Sequence, residues 1–326
     1  MATYKGIQGY SVENLSSDPT ASEAEGQLWY NSTSGKFKIS VAGAGAWSSG
    51  GASNSASSAL RGTCGTKSAG LAMGGYPYSA NTEIYNGTAW TEVANLTVIK
   101  SSAAAVGTTT AALLAGGQIP GGAVDQTETW DGTSWTEVNN LNSARQTLMA
   151  IGTVNTAAVA MGGQPPGSGQ ATSETWNGTS WTEGNDLTTG RYDGGRAGSS
   201  TAGLCISGNS GSRTTKVESY NGTSWSEEND VNVARSQVGS GGTQTSALLF
   251  GGRSSAPVYV DSNESWNGTS WTEIANLATA RALYQSTGSS NTSALAIGGN
   301  TAPTTFTTVT EEWDGAPVTA KTVTVS

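Results

Sequence analysis

Residues 145–183 read RQTLMAIGTVNTAAVAMGGQPPGSGQATSETWNGTSWTE, and the order of markers in this stretch decides the fold. Arg145 opens it. An apolar run at 147–151 and a second at 157–161 follow, and the second closes on Gly162-Gly163. Beyond a polar loop come Glu174-Thr175-Trp176, then Asn177-Gly178-Thr179-Ser180, then Trp181. The same markers recur along the chain. The small pair stands at Gly74-Gly75, Gly116-Gly117, Gly162-Gly163, Ser207-Gly208, Gly251-Gly252 and Gly298-Gly299, at intervals of 42 to 47 residues. The Glu-x-aromatic triplet recurs at Glu83/Tyr85, Glu128/Trp130, Glu174/Trp176, Glu218/Tyr220, Glu264/Trp266 and Glu311/Trp313. Five residues further on, a Trp stands at Trp90, Trp135, Trp181, Trp225 and Trp271. The chain carries six copies of one unit.

Each unit reads as four short strands. The first follows the Arg (Arg145, Arg191, Arg235, Arg281), and the second runs into the small pair. The third carries Glu-x-Trp/Tyr and the fourth carries the Trp. In the second strand, Leu71, Leu113, Val159, Leu204, Leu248 and Leu295 are each preceded by Gly or Ala. A large side chain on one face and a minimal one on the other suits a strand packed between two neighbouring sheets. Asn-Gly or Asp-Gly between the third and fourth strands predicts a type I′ hairpin with both residues at positive φ. A period near 45 residues with four strands marks a propeller blade, and helical periodicity is absent. The expected fold is therefore all-β, a six-bladed β-propeller.

The ends of the repeat complement one another. Trp47 lies 27 residues before Gly74, as Trp135 lies 27 before Gly162, so Trp47 holds a fourth-strand position without three strands ahead of it. At the other end, Trp313-Asp314-Gly315 begins a hairpin, but Ala316-Pro317 stands where Ser-Trp is expected. The strand around Trp47 is thus expected to complete the last blade and close the ring, which protects free sheet edges. The expected organisation is an arm and β-hairpin over residues 1–45, a propeller over 46–318, and a C-terminal strand or tail over 319–326. Residues 11–26 read as polar arm or linker, and 27–39 as a hairpin around Asn31-Ser32-Thr33-Ser34-Gly35.

Composition narrows the chemistry. Of 326 residues 45 are Gly, roughly twice the usual share, and only 12% are charged. A net charge of −9 with no Lys/Arg cluster argues against a nucleic-acid partner. The absence of His removes Ser-His-Asp triads, His-based acid/base chemistry and the commonest metal ligand. Cys64 and Cys205 are too few and too far apart for a metal knuckle, and are expected as free thiols. The carboxylate pairs Glu227-Glu228 and Glu311-Glu312 point to opposite strand faces, unlike a glycosidase dyad. No cofactor, metal, catalytic residue, signal peptide or membrane insertion is expected.

The aliphatic run into Gly-Gly, the spaced Tyr/Trp and the later Trp resemble the kelch repeat over residues 47–315, with slightly short blades and Ser207 replacing one Gly. The segment Gly26-Gln27-Leu28-Trp29-Tyr30-Asn31, with Gly35-Lys36-Phe37-Lys38 beyond it, is similar to the N-terminal attachment segments of bacteriophage tail fibres. Joined to Asn-Gly-Thr-Ser-Trp-Thr-Glu cassettes, it resembles the kelch-like virion proteins of tailed phages. That resemblance implies a non-enzymatic virion structural protein, made in the host cytoplasm. Residues 1–45 would then attach to other virion proteins, and the propeller would serve host-surface attachment or particle decoration. Its expected partners are a host-surface glycan or protein and, in a homo-oligomer, other copies of the chain. The alternatives are a carbohydrate-active propeller enzyme and an intracellular kelch-type adaptor.

Comparing the repeats with one another locates a candidate binding surface. The Asn-Gly turns hardly vary, whereas the loops between second and third strands differ in every blade. They contain Tyr76, Tyr78, Arg213, Arg253, Tyr259 and Phe306. Tyr and Arg among small residues make a recognition surface when a rigid scaffold holds them. The repeated Trp47, Trp90, Trp135, Trp181, Trp225 and Trp271 read as inter-blade packing, and the repeated Arg as a tie between adjacent blades through the Glu or backbone carbonyls.

Overall fold

The structure is a computed structural model that describes residues 12–18, 28–42, 45–55, 62–164, 169–255, 258–282, 286–302, 305–315 and 318–323. Parts of the expected arm (1–11 and 19–27), pieces of three variable loops (165–168, 256–257 and 303–304) and Ala316-Pro317 lie outside those residues. Two compact units are present: residues 47–314, and residues 1–46 together with 315–326.

The larger unit is a β-propeller of six four-stranded antiparallel sheets. The first holds Gly62–Thr66, Ala69–Met73, Thr82–Tyr85 and Trp90–Val93. The second holds Ala104–Gly107, Ala112–Ala115, Thr127–Trp130 and Trp135–Val138; the third Met149–Val154, Ala157–Met161, Ser173–Trp176 and Trp181–Glu183. The fourth holds Gly195–Gly198, Gly203–Ile206, Val217–Tyr220 and Trp225–Glu227; the fifth Gly239–Gly242, Ala247–Phe250, Asn263–Trp266 and Trp271–Ile274. The sixth is Ser286–Ser290, Ser293–Ala302, Thr305–Asp314 and, at its outer edge, Ala46–Ser49. The first strands touch in cyclic order, the sixth against the first, so they surround the axis.

There is no single core. Six apolar clusters lie at the six seams between consecutive sheets, including one between the sixth and first (Ala72, Tyr85, Trp90, Leu295 and Ile297). The large-small alternation of the second strand explains this. Leu113 faces the third sheet while Ala112 faces the first. Gly203 shows how tight the small face is: a Cβ there would lie 2.4 Å from Ile151 Cδ1 of the preceding sheet.

Each outer-strand Trp reaches back to the sheet before it. The indole N–H of Trp135 donates to Thr82 Oγ1 (3.1 Å), Trp181 to Thr127 Oγ1 (3.1 Å), and Trp225 to Ser173 Oγ (3.1 Å). Trp271 donates to the Asn229 carbonyl (3.1 Å), and Trp90 crosses the closing seam to Thr310 Oγ1 (3.2 Å). Trp47 packs on Phe250 of the fifth sheet and Trp313 of its own, with ring centroids 5.0 and 5.5 Å away. Inter-sheet hydrogen bonding thus suits five of the six, since a buried indole N–H needs a partner; Trp47 Nε1 is buried without one and holds by ring packing alone.

The cations form a second tie. In four of the small pairs the backbone N–H of the second residue donates to the carbonyl of the next sheet's Arg: Gly117 to Arg145, Gly163 to Arg191, Gly208 to Arg235 and Gly252 to Arg281, at 2.8–2.9 Å. The cation's side chain turns the other way, into its own sheet, and pairs with the buried Glu: Arg145–Glu174, Arg191–Glu218, Arg235–Glu264 and Arg281–Glu311, at 2.6–2.7 Å. One residue therefore joins two sheets. In the second sheet the position belongs to Lys100, paired with Glu128 at 2.8 Å, with its carbonyl accepting from Gly75.

Three expectations need correction. The Asn-Gly turn is not type I′. Trp176 pairs directly with Trp181, leaving four residues to turn the chain, and only Gly178 (φ 93°) has positive φ. Asn177 is instead an Asx turn, its Oδ1 accepting from the N–H groups of Thr179 and Ser180 at 2.9 Å. The arm is not wholly linker: Glu13–Leu15 is a strand running parallel to Leu28–Asn31. Asp18 anchors it, accepting from Asn31 Nδ2 (2.7 Å) and Lys38 Nζ (2.6 Å). Nor is the C-terminal segment separate from the arm. Val318–Thr322 pairs antiparallel with Lys36–Ala42, giving the small unit four strands, and the propeller unit ends at Asp314 rather than 318. Its Thr/Val alternation meets the open edge of the hairpin, which explains the pairing.

Candidate functional site

The blades have two distinct ends. At one, first-to-second and third-to-fourth turns lie together: Gly132 approaches Thr110, Gly178 approaches Thr156, and Gly268 approaches Thr245. At the other end the variable loops emerge beside the connectors that enter each new sheet. There, in four of the connectors, one residue takes a left-handed conformation: Ser102, Thr147, Asp193 and Gln237, at φ 53–57°. Their backbones link around the axis, Thr147 N–H to Ser102 O (2.9 Å), Asp193 to Thr147 (3.1 Å) and Gln237 to Asp193 (2.7 Å).

Of these four, only Asp193 is acidic. Its Oδ1 is sealed from solvent without a hydrogen-bond partner, and Gln237 Nε2 makes a long 3.5 Å contact to Oδ2. Burial pushes the carboxyl up to about 7, against the opposing pull of Gln237, Arg213 and Arg253. Both arginines belong to the expected binding surface, so the structure adds an acid that sequence reading missed. Tyr192, next in the chain, is also raised, by burial first and Asp193 second.

The six expected residues fall into two groups and one outlier. Arg253 and Tyr259 face each other across a small hairpin formed by Arg253–Ser255 and Val258–Tyr259, and the guanidinium lies 5.2 Å from the ring centroid. Arg213 is bridged to Asn209, itself bridged to Tyr192. The Nε of each arginine is buried and unpartnered. Around the ring, Tyr76 and Phe306 stack at 5.3 Å across the closing seam, and Tyr76 stays 46% exposed. Tyr78 is half-buried and joins neither pair. The structural tryptophans Trp90, Trp135, Trp181, Trp225 and Trp271 are buried at the seams and contribute nothing to this end.

The arrangement offers guanidinium donors, flat aromatic faces and one strained acid, all on a rigid frame. Those groups can hydrogen-bond and stack with a polar ligand. Among the described residues no group of three or more His, Cys, Asp and Glu is placed to hold a metal ion, and no helix is long and apolar enough to cross a membrane. Cys64 and Cys205 are buried free thiols, and burial pushes Cys64 up to about 12.

No family model matches the chain, and no curated protein does. Among solved structures, that of YjhT is similar in fold, with a TM-score of 0.66 at 14% identity over 80% of this chain and 96% of that one.

Proposed function

We propose that the chain is a non-enzymatic virion protein of a tailed phage whose propeller presents its variable-loop end to a host surface or a neighbouring particle component. The observation that carries this reading is the contrast between the two ends. Turns at one end repeat an Asx-Gly design, whereas loops at the other diverge blade by blade and hold Arg253 against Tyr259 and Tyr76 against Phe306. A scaffold with one diversified end is the form expected of a recognition module. The Leu-Trp-Tyr-Asn hairpin supports the attachment role of residues 1–45 through its likeness to tail-fibre segments, and Trp29 and Asn31 are its buried residues.

The test is binding of the full chain to host cells. Arg253→Ala, Tyr259→Ala and Tyr76→Ala should each weaken binding several-fold at unchanged melting temperature, while Thr179→Ala in an opposite turn should not. Equal loss from both ends, or none from either, would refute the assignment.

A further inference from the structure

The first strands enclose an axial cavity of about 540 Å³ that opens between the first-to-second-strand turns, at the end away from the variable loops. At one level of its wall the six strands contribute Thr63, Ala105, Ala150, Arg196, Ser240 and Ser286, equivalent by register. Five are small. Three of those are consumed in closing the ring. Ser240 Oγ accepts from Arg196 N–H (2.7 Å) and donates to Arg196 O (2.9 Å), Ser286 Oγ does the same to Ser240, and Thr63 Oγ1 the same to Ser286.

Arg196 alone projects a long side chain from this level. Its Nη2 crosses to the carbonyl of Thr63, in the opposite sheet, at 2.9 Å. No other acceptor and no carboxylate is within reach of the head group among the described residues, so Nε and Nη1 are left to the cavity. The connector cations Lys100, Arg145, Arg191, Arg235 and Arg281, by contrast, each have a Glu within 2.8 Å. Burial pulls the Arg196 pKa down, and the one group opposing it is Cys64, whose thiol is itself pushed up to about 12 and so carries no charge near neutrality. A guanidinium stays protonated in proteins, and that of the half-buried Arg196 faces the cavity with no counter-charge of its own. Its planar fork matches the two oxygens of a carboxylate. With one positive charge in the cavity, a singly charged anion balances it and a dianion does not. Thr66, Thr153 and Thr243 line the wall nearer the mouth, alongside the half-buried Gly65, Gly198 and Gly242. The volume is that of a small-molecule site.

We infer that the axial cavity binds a small hydroxylated monocarboxylate, with Arg196 holding its carboxylate and the threonine-lined wall its hydroxyls. This site is distinct from the variable-loop end and does not depend on the function proposed above. The test titrates the full chain with sodium gluconate by calorimetry, beside uncharged sorbitol, sodium phosphate and sodium chloride. Gluconate alone should bind, and R196Q, which keeps a donor for the Thr63 carbonyl without the charge, should weaken it at least tenfold. The Arg196 Nε–H resonance of the wild-type chain should also shift with gluconate, a readout that stands even if R196Q fails to fold. Equal affinity for sorbitol, a response to phosphate or chloride in place of gluconate, undiminished binding by folded R196Q, or an Arg196 resonance that gluconate leaves unmoved would overturn the inference.

Discussion

Replacing Glu174 by Ala removes one partner of a buried ion pair and tests whether these pairs hold the sheets to their connectors. Glu174 and Arg145 are each 1% exposed, and Glu174 Oε1 lies 2.7 Å from Arg145 Nη2. The other oxygen accepts from the Asn142 backbone N–H (2.7 Å) and from Asn142 Nδ2 (2.9 Å). The variant leaves a guanidinium in the interior with only the carbonyls of Gly162 and Thr172, at 3.0 and 2.7 Å. Breaking a buried pair from one side costs about 3–5 kcal/mol, because the remaining charge is uncompensated. For a domain of this size that corresponds to a fall in melting temperature on the order of 10 °C. The assay is thermal and urea unfolding of Glu174→Ala beside Glu183→Ala, an exposed carboxylate in the adjoining strand that should change stability by less than about 0.5 kcal/mol. The double variant Arg145→Met/Glu174→Leu should recover only part of the loss, since the Gly162 and Thr172 carbonyls and the Asn142 N–H lose their partners. A loss below about 1 kcal/mol in Glu174→Ala would refute the reasoning.

Deleting residues 1–50 removes the outer strand of the sixth sheet and Trp47, and should lower the melting temperature of the whole propeller, whereas deleting 1–25 should leave it unchanged; equal melting of both would overturn closure by Ala46–Ser49. Asp193 makes stability depend on pH. Its folded value, about 7, lies above the unfolded value of about 4, so the folded chain keeps a proton that the unfolded chain has lost. Its contribution is intact below pH ~4 and is lost as pH rises to ~7, and Asp193→Asn should flatten the melting temperature across that window; an unchanged slope would contradict it. Gly178→Ala forces a Cβ into φ 93° and should cost about 1 kcal/mol or more in urea unfolding, while an unchanged midpoint would show that the turn tolerates a side chain.

What repeats was legible in the sequence. Six small pairs and six Glu-x-aromatic triplets specify six sheets, and the 27-residue spacing of Trp47 from Gly74 announces a displaced outer strand. The turn type was misread although the spacing contained the answer: Trp176 and Trp181 leave four residues between them, too many for a two-residue hairpin. Lys100 was passed over because a Lys replaces the Arg, yet its carbonyl and ammonium do the same two jobs. Glu13–Leu15 is three residues long and pairs parallel, so it carries no alternation to detect. The candidate sites escaped for the opposite reason. Asp193 and Arg196 each occupy a register held by unlike residues in the other blades, and a reading built on periodicity averages such exceptions away. Aligning the connectors on their cation shows Asp193 against Ser102, Thr147 and Gln237. Aligning the first strands shows Arg196 against five small residues. Charge placed once in a sixfold pattern is the signal that would have found both.

The most direct test of the proposed display role is labelling of purified phage particles with an antibody fragment raised against the hairpin at Arg253–Ser255 and Val258–Tyr259, viewed by cryo-electron microscopy. The expected result is fragment density on the outside of intact particles, lost when the host cell surface is added as competitor. Particles from which the chain is absent, or on which this hairpin cannot be reached, would contradict it.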